Sequence, residues 1–211
     1  MIVAAALGAA PPAFADGVDV GLSAGTLGIG PLIGIAIVPG TYGARIQFGY
    51  LSHSYGTSSD GVAYKGNLTL RNVGLLGDWY PWAGAFRVSG GLFYNGNRVS
   101  LNAQPDGDRF IFGGDIYTAA QVGSVQGQVS FNAVAPYLGL GWGGGAGAGL
   151  RFSGDLGVMY QGRPKVRLTA SNPTLSSQLA ADLQATESGL QASLDRYRFY
   201  PVVQLGLTYR F

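Results

Sequence analysis

The stretch FYPVVQLGLTYRF, residues 199–211, carries a large apolar or aromatic side chain at nearly every second position. Phe199, Pro201, Val203, Leu205, Leu207, Tyr209 and Phe211 share one phase, and Arg198, Tyr200, Val202, Gln204, Gly206, Thr208 and Arg210 share the other. A period of two is that of a β-strand whose faces meet two different environments. A chain terminus usually frays into polar residues, so an aromatic-rich strand at this position asks what surrounds it.

Composition narrows the answer. Only 11 % of the 211 residues are charged, against an ordinary quarter, although 47 % are hydrophobic. There are 36 glycines, 12 tyrosines and 10 phenylalanines. No apolar run is long enough for a membrane helix, so a membrane location would have to use strands. The absence of cysteine excludes a disulfide framework and a thiolate metal site. A net charge of +2 gives no ground for nucleic-acid binding.

The alternation recurs along the chain. Tyr42, Ala44, Ile46, Phe48 and Tyr50 form one such phase, as do Val73, Leu75, Gly77 and Trp79. So do Phe86 to Tyr94, Leu138 to Trp142 and Phe152 to Tyr160, each taken at every second residue. Tyr42 and Tyr50 are eight residues apart, as are Phe86 and Tyr94, and Phe152 and Tyr160. Eight strand residues span about 26 Å. A tilt of roughly 40° reduces that to about 20 Å, near the height of the apolar band between the aromatic girdles of an outer-membrane barrel. Tyr42, Tyr50, Trp79, Trp82, Phe86, Tyr94, Trp142, Tyr160, Phe199 and Tyr209 are the candidate girdle residues. A soluble sandwich with the apolar phase inside is the competing reading. It fits less well because the aromatics fill the apolar phase while arginines and glycines fill the other.

Connection lengths set the topology. VPGTYG (38–43), YPWAG (80–84) and GGGAGAG (143–149) are short breaks, expected on the periplasmic side, where such barrels make tight turns. Segments 52–64, 97–132 and 163–196 are long and are expected outside the cell. A hairpin of Val18–Ala24 and Leu27–Ile37 brings the total to eight strands. The fold expected is therefore an all-β, transmembrane, antiparallel up-and-down barrel of eight strands. It must close, because an open edge in lipid leaves backbone polar groups unpaired. In the last outer loop Leu175, Leu179, Leu183, Leu190 and Leu194 recur at helical spacing after Asn172-Pro173-Thr174. That pattern predicts an amphipathic helix over Thr174–Leu194, capping the mouth, packing on extended strands or lying in solvent.

Residues 1–15, MIVAAALGAAPPAFA, have the small apolar core and A-x-A site of a secretory signal, with cleavage before Asp16, although the basic n-region is missing. Residues 16–211 would then form the barrel domain. Pro11 and Pro12 argue against a buried helix there.

The phase opposite the aromatics holds Asp19, Arg45, Asp78, Arg87, Arg151, Asp155, Arg198 and Arg210. An eight-stranded interior is just wide enough for side chains to fill it. Unpaired charges there would be costly, so Arg–carboxylate pairs are expected. They would make either a salt-bridged plug, which the narrow interior favours, or a polar path for small solutes. The single histidine, His53, sits between Ser52 and Ser54, whose side chains point away from it on a strand. One histidine and no cysteine leave only carboxylates for a metal, and the glycines of 143–149 lie between strands rather than at a strand–helix junction. No metal or other cofactor is expected.

APYLGLGWG (135–143) and the terminal LGLTYRF resemble the small outer-membrane β-barrels of Gram-negative bacteria, the broad OmpA-transmembrane, OmpW and opacity-like group. The resemblance runs in pattern from Val18 to Phe211. It implies an eight-stranded barrel in contact with outer-membrane lipid and lipopolysaccharide. It also implies that the last strand, with Tyr209 and Phe211, is read by the outer-membrane assembly machinery, as strand augmentation at an exposed edge would allow. No catalytic residues characterise the group, so the expected role is non-enzymatic, structural or in surface interaction. A narrow channel for small solutes is the first alternative. A lipid A-modifying enzyme using His53 is the second.

Overall fold

A computed structural model describes residues 17–59, 62–105, 109–112, 115–143, 148–172 and 176–211. The expected secretory leader, residues 1–15, and the expected cleavage point before Asp16 lie outside the described residues. The first strands are β1 (Val18–Gly25), β2 (Gly28–Val38), β3 (Tyr42–Ser59), β4 (Val62–Trp79) and β5 (Phe86–Asn95). Then come β6 (Arg98–Pro105), β7 (Arg109–Phe112), β8 (Asp115–Thr118), the short helix α1 (Ala119–Val122) and β9 (Val125–Ser130). The chain continues through β10 (Val134–Trp142), β11 (Gly149–Tyr160), β12 (Lys165–Ala170), helix α2 (Ser177–Leu194) and β13 (Phe199–Arg210).

Eight of these strands close a ring, each antiparallel to its neighbours: β1, β2, β3, β4, β5, β10, β11 and β13, with β13 returning to β1. The seam runs from Asp19 opposite Arg210 to Gly25 opposite Gln204. Burial alternates along the ring strands with period two: along β10 every second side chain from Ala135 to Gly141 is buried, and those between are exposed. The outward set is large and apolar, with Leu138 67 %, Leu205 69 % and Phe152 76 % exposed. The core is therefore inside the ring and the greasiest surface is outside it.

The strand count is the main departure from the sequence reading. Eight strands form the ring, but thirteen are present among the described residues. The described parts of the segments expected to be long loops are structured. β3 and β4 run on together for 18 residues each, past the ring. β4 pairs with β5 over Asn72–Trp79 and switches to β6 over Val62–Thr69. β9 and β12 add to β6, so the five strands β12-β9-β6-β4-β3 form a sheet standing above one side of the ring, while β7 and β8 form a separate hairpin. β6 and β12 do alternate, with Val99, Leu101 and Ala103 against Arg98, Ser100 and Asn102, and Val166 and Leu168 against Lys165 and Arg167, but neither phase carries the aromatics that mark the ring strands.

Helix α2 occupies Ser177–Leu194, and the predicted starting residue Thr174 lies outside the described residues. Ser176 caps it, its hydroxyl accepting from the Leu179 N–H at 3.2 Å. Leu179 and Leu183 pack with Tyr117, Val122 and Val125 in a small second core. Leu190 of the same leucine series is exposed instead. The Tyr117 hydroxyl donates to the Asp182 carboxylate. That bond, with burial and the nearby negative charge, pushes the Tyr117 pKa up to about 12.

The second half of α2 has another role. Glu187 Oε2 accepts from the Leu168 N–H at 2.9 Å, and Gln191 Oε1 from the Val166 N–H at 3.0 Å. Residues 187 and 191 are one turn apart on the helix, and 166 and 168 share one edge of β12, so the two periods meet in register. A free sheet edge is thereby covered by side chains. Glu187→Ala should cost about 0.5–1.5 kcal/mol and speed amide exchange at Leu168. Unchanged exchange there would mean that the edge is protected some other way.

Two short turns show local constraint. In the β2–β3 turn Gly40 takes φ +73°, and in the β4–β5 turn Ala83 takes φ +51°, a left-handed conformation unusual for alanine. Part of the third break, 144–147, lies outside the described residues.

Candidate functional site

The ring interior is layered. At the short-turn end Arg45, Asp78, Arg87 and Asp155 form one buried network. Asp155 is its hub. Arg45 donates to it through Nη1 and Nη2 at 2.9 and 2.8 Å, and Arg87 through Nη2 at 2.8 and 2.9 Å to its two oxygens. Arg45 Nε lies 3.1 Å from Asp78, whose other oxygen accepts from the Ser89 hydroxyl at 2.5 Å. Ser89 in turn accepts from Arg45 at 3.1 Å. β3 and β11 are four strands apart in both directions round the ring, so the Arg45–Asp155 pair spans its diameter. Two guanidinium groups meet two carboxylates, and the charge balances.

A second cluster closes the seam. Arg210 Nε donates to Asp19 at 2.9 Å, its Nη2 also contacts Asp19, and Arg151 Nη1 lies 4.0 Å from the same carboxylate. Seven of the eight charged residues singled out in the sequence therefore fall into these two clusters. Arg198 does not. It precedes β13 at the opposite end and bonds the Asp195 carbonyl and carboxylate, at 2.8 and 3.2 Å. The strand period places it on the inward phase, but the strand begins one residue later. A cavity of about 70 Å³ at the short-turn end touches both clusters and Tyr80.

Above the charges lies an apolar layer absent from the sequence reading: Leu27, Leu76, Phe93, Tyr137, Met159 and Val202. Phe93 and Tyr137 meet edge to face at 5.4 Å. Phe93 is 1 % and Met159 0 % exposed, so water does not reach them from either end. The inward glycines make this possible. A Cβ on Gly74 would lie 2.4 Å from the Phe93 ring, and one on Gly157 2.6 Å from Tyr137. Gly141 does the same for the charge network, where a Cβ would lie 2.6 Å from Asp155. The signal available in the sequence was an aromatic on the glycine-rich phase, as in Gly91-Leu92-Phe93 and Tyr137-Leu138-Gly139.

Leu27 comes from the β1–β2 turn, which folds inward. Thr26 fastens that turn to β13: its N–H donates to the Val203 carbonyl at 2.9 Å, and its hydroxyl donates to the Pro201 carbonyl at 3.1 Å. The same hydroxyl accepts from the Val203 N–H at 3.0 Å. β13 runs on past the end of β1 here, and Pro201 has no N–H to leave unpaired on that edge. Over the apolar layer sit amides: Asn72 Nδ2 donates to the Leu27 carbonyl at 3.1 Å and to Asn97 at 2.9 Å.

The aromatic residues fall into two rows on the outer surface. Tyr42 pairs with Trp79, Phe86 with Trp142, and Tyr209 lies across from Leu150 and Val20 at the short-turn end. Trp82 packs at a tilt against Phe86 at 5.1 Å, and Phe86 meets Trp142 edge to face at 5.3 Å, which leaves Phe86 half-buried. Tyr50, Tyr94, Tyr160 and Phe199 form the other row, with Tyr160 and Phe199 paired and 5.3 Å apart. All but Phe86 are exposed. Phe211 is held beside Val18 and Gly17 by two backbone hydrogen bonds.

His53 is exposed on β3 opposite Leu68. Among the described residues no serine or carboxylate is bonded to it, and no group of three potential metal ligands occurs.

No family model matches the sequence, and no curated protein matches it. Solved structures do. CarO2 of Acinetobacter baumannii is 24 % identical, with a TM-score of 0.60 over 92 % of this chain and 98 % of that one. CarO of the same organism is 22 % identical, with a TM-score of 0.58 over 93 % and 98 %. A major outer membrane protein from Thermus thermophilus is 15 % identical, with a TM-score of 0.52 over 94 % and 100 %. At these identities the likeness is one of fold: the chain is built as an antiparallel β-barrel of the kind found among outer-membrane proteins.

Proposed function

We propose that this chain is an integral β-barrel of the bacterial outer membrane, non-enzymatic, with an interior sealed by its own side chains and a structured outer end for surface interaction. The observation that carries this reading is the outer surface of the ring. It is a continuous band of exposed leucine, isoleucine, valine and phenylalanine bounded by two aromatic rows. In water such a surface would aggregate, whereas between lipid headgroups it is the expected exterior. The short turns then face the periplasm, and the β3–β4–β6–β9–β12 sheet and α2 stand outside. The eight-stranded up-and-down ring fits the small-barrel group named above, and Tyr209 and Phe211 at the end of β13 are the residues proposed to meet the assembly machinery.

A sealed interior is supported by the diametric Arg45–Asp155 pair below and the fully buried Phe93 and Met159 above. The test is planar-bilayer recording on the refolded full chain. The expected result is no steady conductance step above the bare bilayer. Steady steps would favour the solute channel instead, and a change in lipid A acylation lost in His53→Ala would favour the enzyme.

A further inference from the structure

We infer that the outward face of the sheet above the ring binds the phosphate groups of lipopolysaccharide, the lipid of the outer leaflet. This rests on the outer-membrane reading and adds a specific surface to it. Arg71 lies opposite Tyr50 in β3, so it stands at the level of the outer aromatic row. It shares a strand phase with Val73, Leu75 and Trp79, and therefore faces the same side as the lipid-contacting residues.

Register extends that face across the sheet. Arg98 pairs with Thr69, two residues from Arg71 on the same face. Ser130 pairs with both Arg98 and Lys165, so Lys165 is on the face as well, and Arg167 follows two residues on. Lys65 is the fifth cation, farther from the ring on β4. All five are exposed, and none makes a salt bridge among the described residues. Between them this phase of β4, β6, β9 and β12 carries serine, threonine, asparagine and glutamine, and no carboxylate. Of the acids of this outer region among the described residues, Asp182 and Glu187 belong to α2, Asp195 is its C-cap and Asp115 lies on β8, and each is already bonded or paired.

The spacing suits the ligand. Next-nearest strands are about 10 Å apart and same-face neighbours along a strand about 7 Å. Arg71, Arg98, Lys165 and Arg167 thus form an array rather than a point, able to meet several phosphates on neighbouring lipids. Arginine offers phosphate a two-pronged donor, and the surrounding amides and hydroxyls can donate to the remaining oxygens. A basic face with no acid, continuous with a lipid-facing surface, matches a headgroup layer dense in phosphate. Helix α2 packs on the opposite face, through Leu179 and Leu183 against Tyr64 and Val125, and leaves this one open.

The test uses the refolded full chain in nanodiscs of phosphatidylcholine, with bis-phosphorylated lipid A as the probe. Dephosphorylated lipid A and inorganic phosphate are the comparison ligands, and bound lipid is read by native mass spectrometry and by titration. The variant is Arg71→Gln, Arg98→Gln and Arg167→Gln together. Retention of bis-phosphorylated lipid A should fall about a hundredfold in the variant, at roughly fivefold per cation. It should fall with added salt and be weak for the dephosphorylated lipid. Equal retention by variant and wild type, or equal affinity for both lipids, would overturn the proposal. So would displacement of lipid A by millimolar inorganic phosphate, which would mark a free-anion site. Insertion into the neutral bilayer and a heat-dependent gel shift are scored separately. A chain that inserts but ignores lipid A refutes this proposal alone, whereas a chain that never inserts refutes the outer-membrane reading.

Discussion

Asp155→Asn should destabilise the folded barrel by about 3–5 kcal/mol, the usual cost of removing one partner from a buried ion pair. The substitution keeps the shape of the side chain and removes its charge. Arg45 and Arg87, both about 95 % buried, would then share Asp78 alone. Two cations and one carboxylate in a narrow, poorly solvated interior leave an uncompensated charge, and four short hydrogen bonds to Asp155 are weakened at the same time. The measurement is urea unfolding in lipid vesicles, together with the temperature at which the fast-migrating folded band disappears from a denaturing gel. Arg87→Ala should move both in the same direction, because it leaves Asp78 and Asp155 to share Arg45 alone. The double substitution Arg45→Leu with Asp155→Leu should cost less than the two single substitutions added, since it leaves neither half buried and unpaired. A wild-type midpoint for Asp155→Asn would show that the network does not hold the barrel together.

Leu205→Arg should cost roughly 2–4 kcal/mol of stability in a bilayer, the penalty for a cation on the lipid face near the midplane. Leu205 is 69 % exposed and lies midway along β13 between the row of Phe199 and that of Tyr209. Leu205→Ala removes contact area with lipid but introduces no charge, so it should be much milder. The sign discriminates between environments. On a soluble barrel with this outer surface, replacing an exposed leucine by arginine would be neutral or would improve solubility. Folding yield into vesicles and the unfolding midpoint are the readouts. Normal insertion of Leu205→Arg would mean that this surface does not face lipid.

The period of two in 199–211 and its recurrence in five other segments determine which side chains face out and which face in. This is a local property: adjacent residues of a strand point to opposite sides whatever the strand pairs with. From Phe199 to Arg210 the structure alternates in the phase read from the sequence. The helical spacing of leucines likewise marks α2, because that too is set within one element.

Partnership is a different matter. That Arg45 meets Asp155, 110 residues away, follows from the order of strands round the ring and from their register, neither of which leaves a mark near either residue. The inward aromatics were visible on the glycine-rich phase. Their stacking into a layer depended on Phe93 filling the space left by Gly74 on one neighbouring strand, and Tyr137 that left by Gly157 on another. The switch of β4 from β5 to β6 halfway along its length, and the match of Glu187 and Gln191 to alternate amides of β12, are likewise contacts between elements. Strand alternation is encoded by each residue's own neighbours in the chain, whereas pairing is settled between elements far apart in the chain, when the ring closes and its inward side chains meet across it.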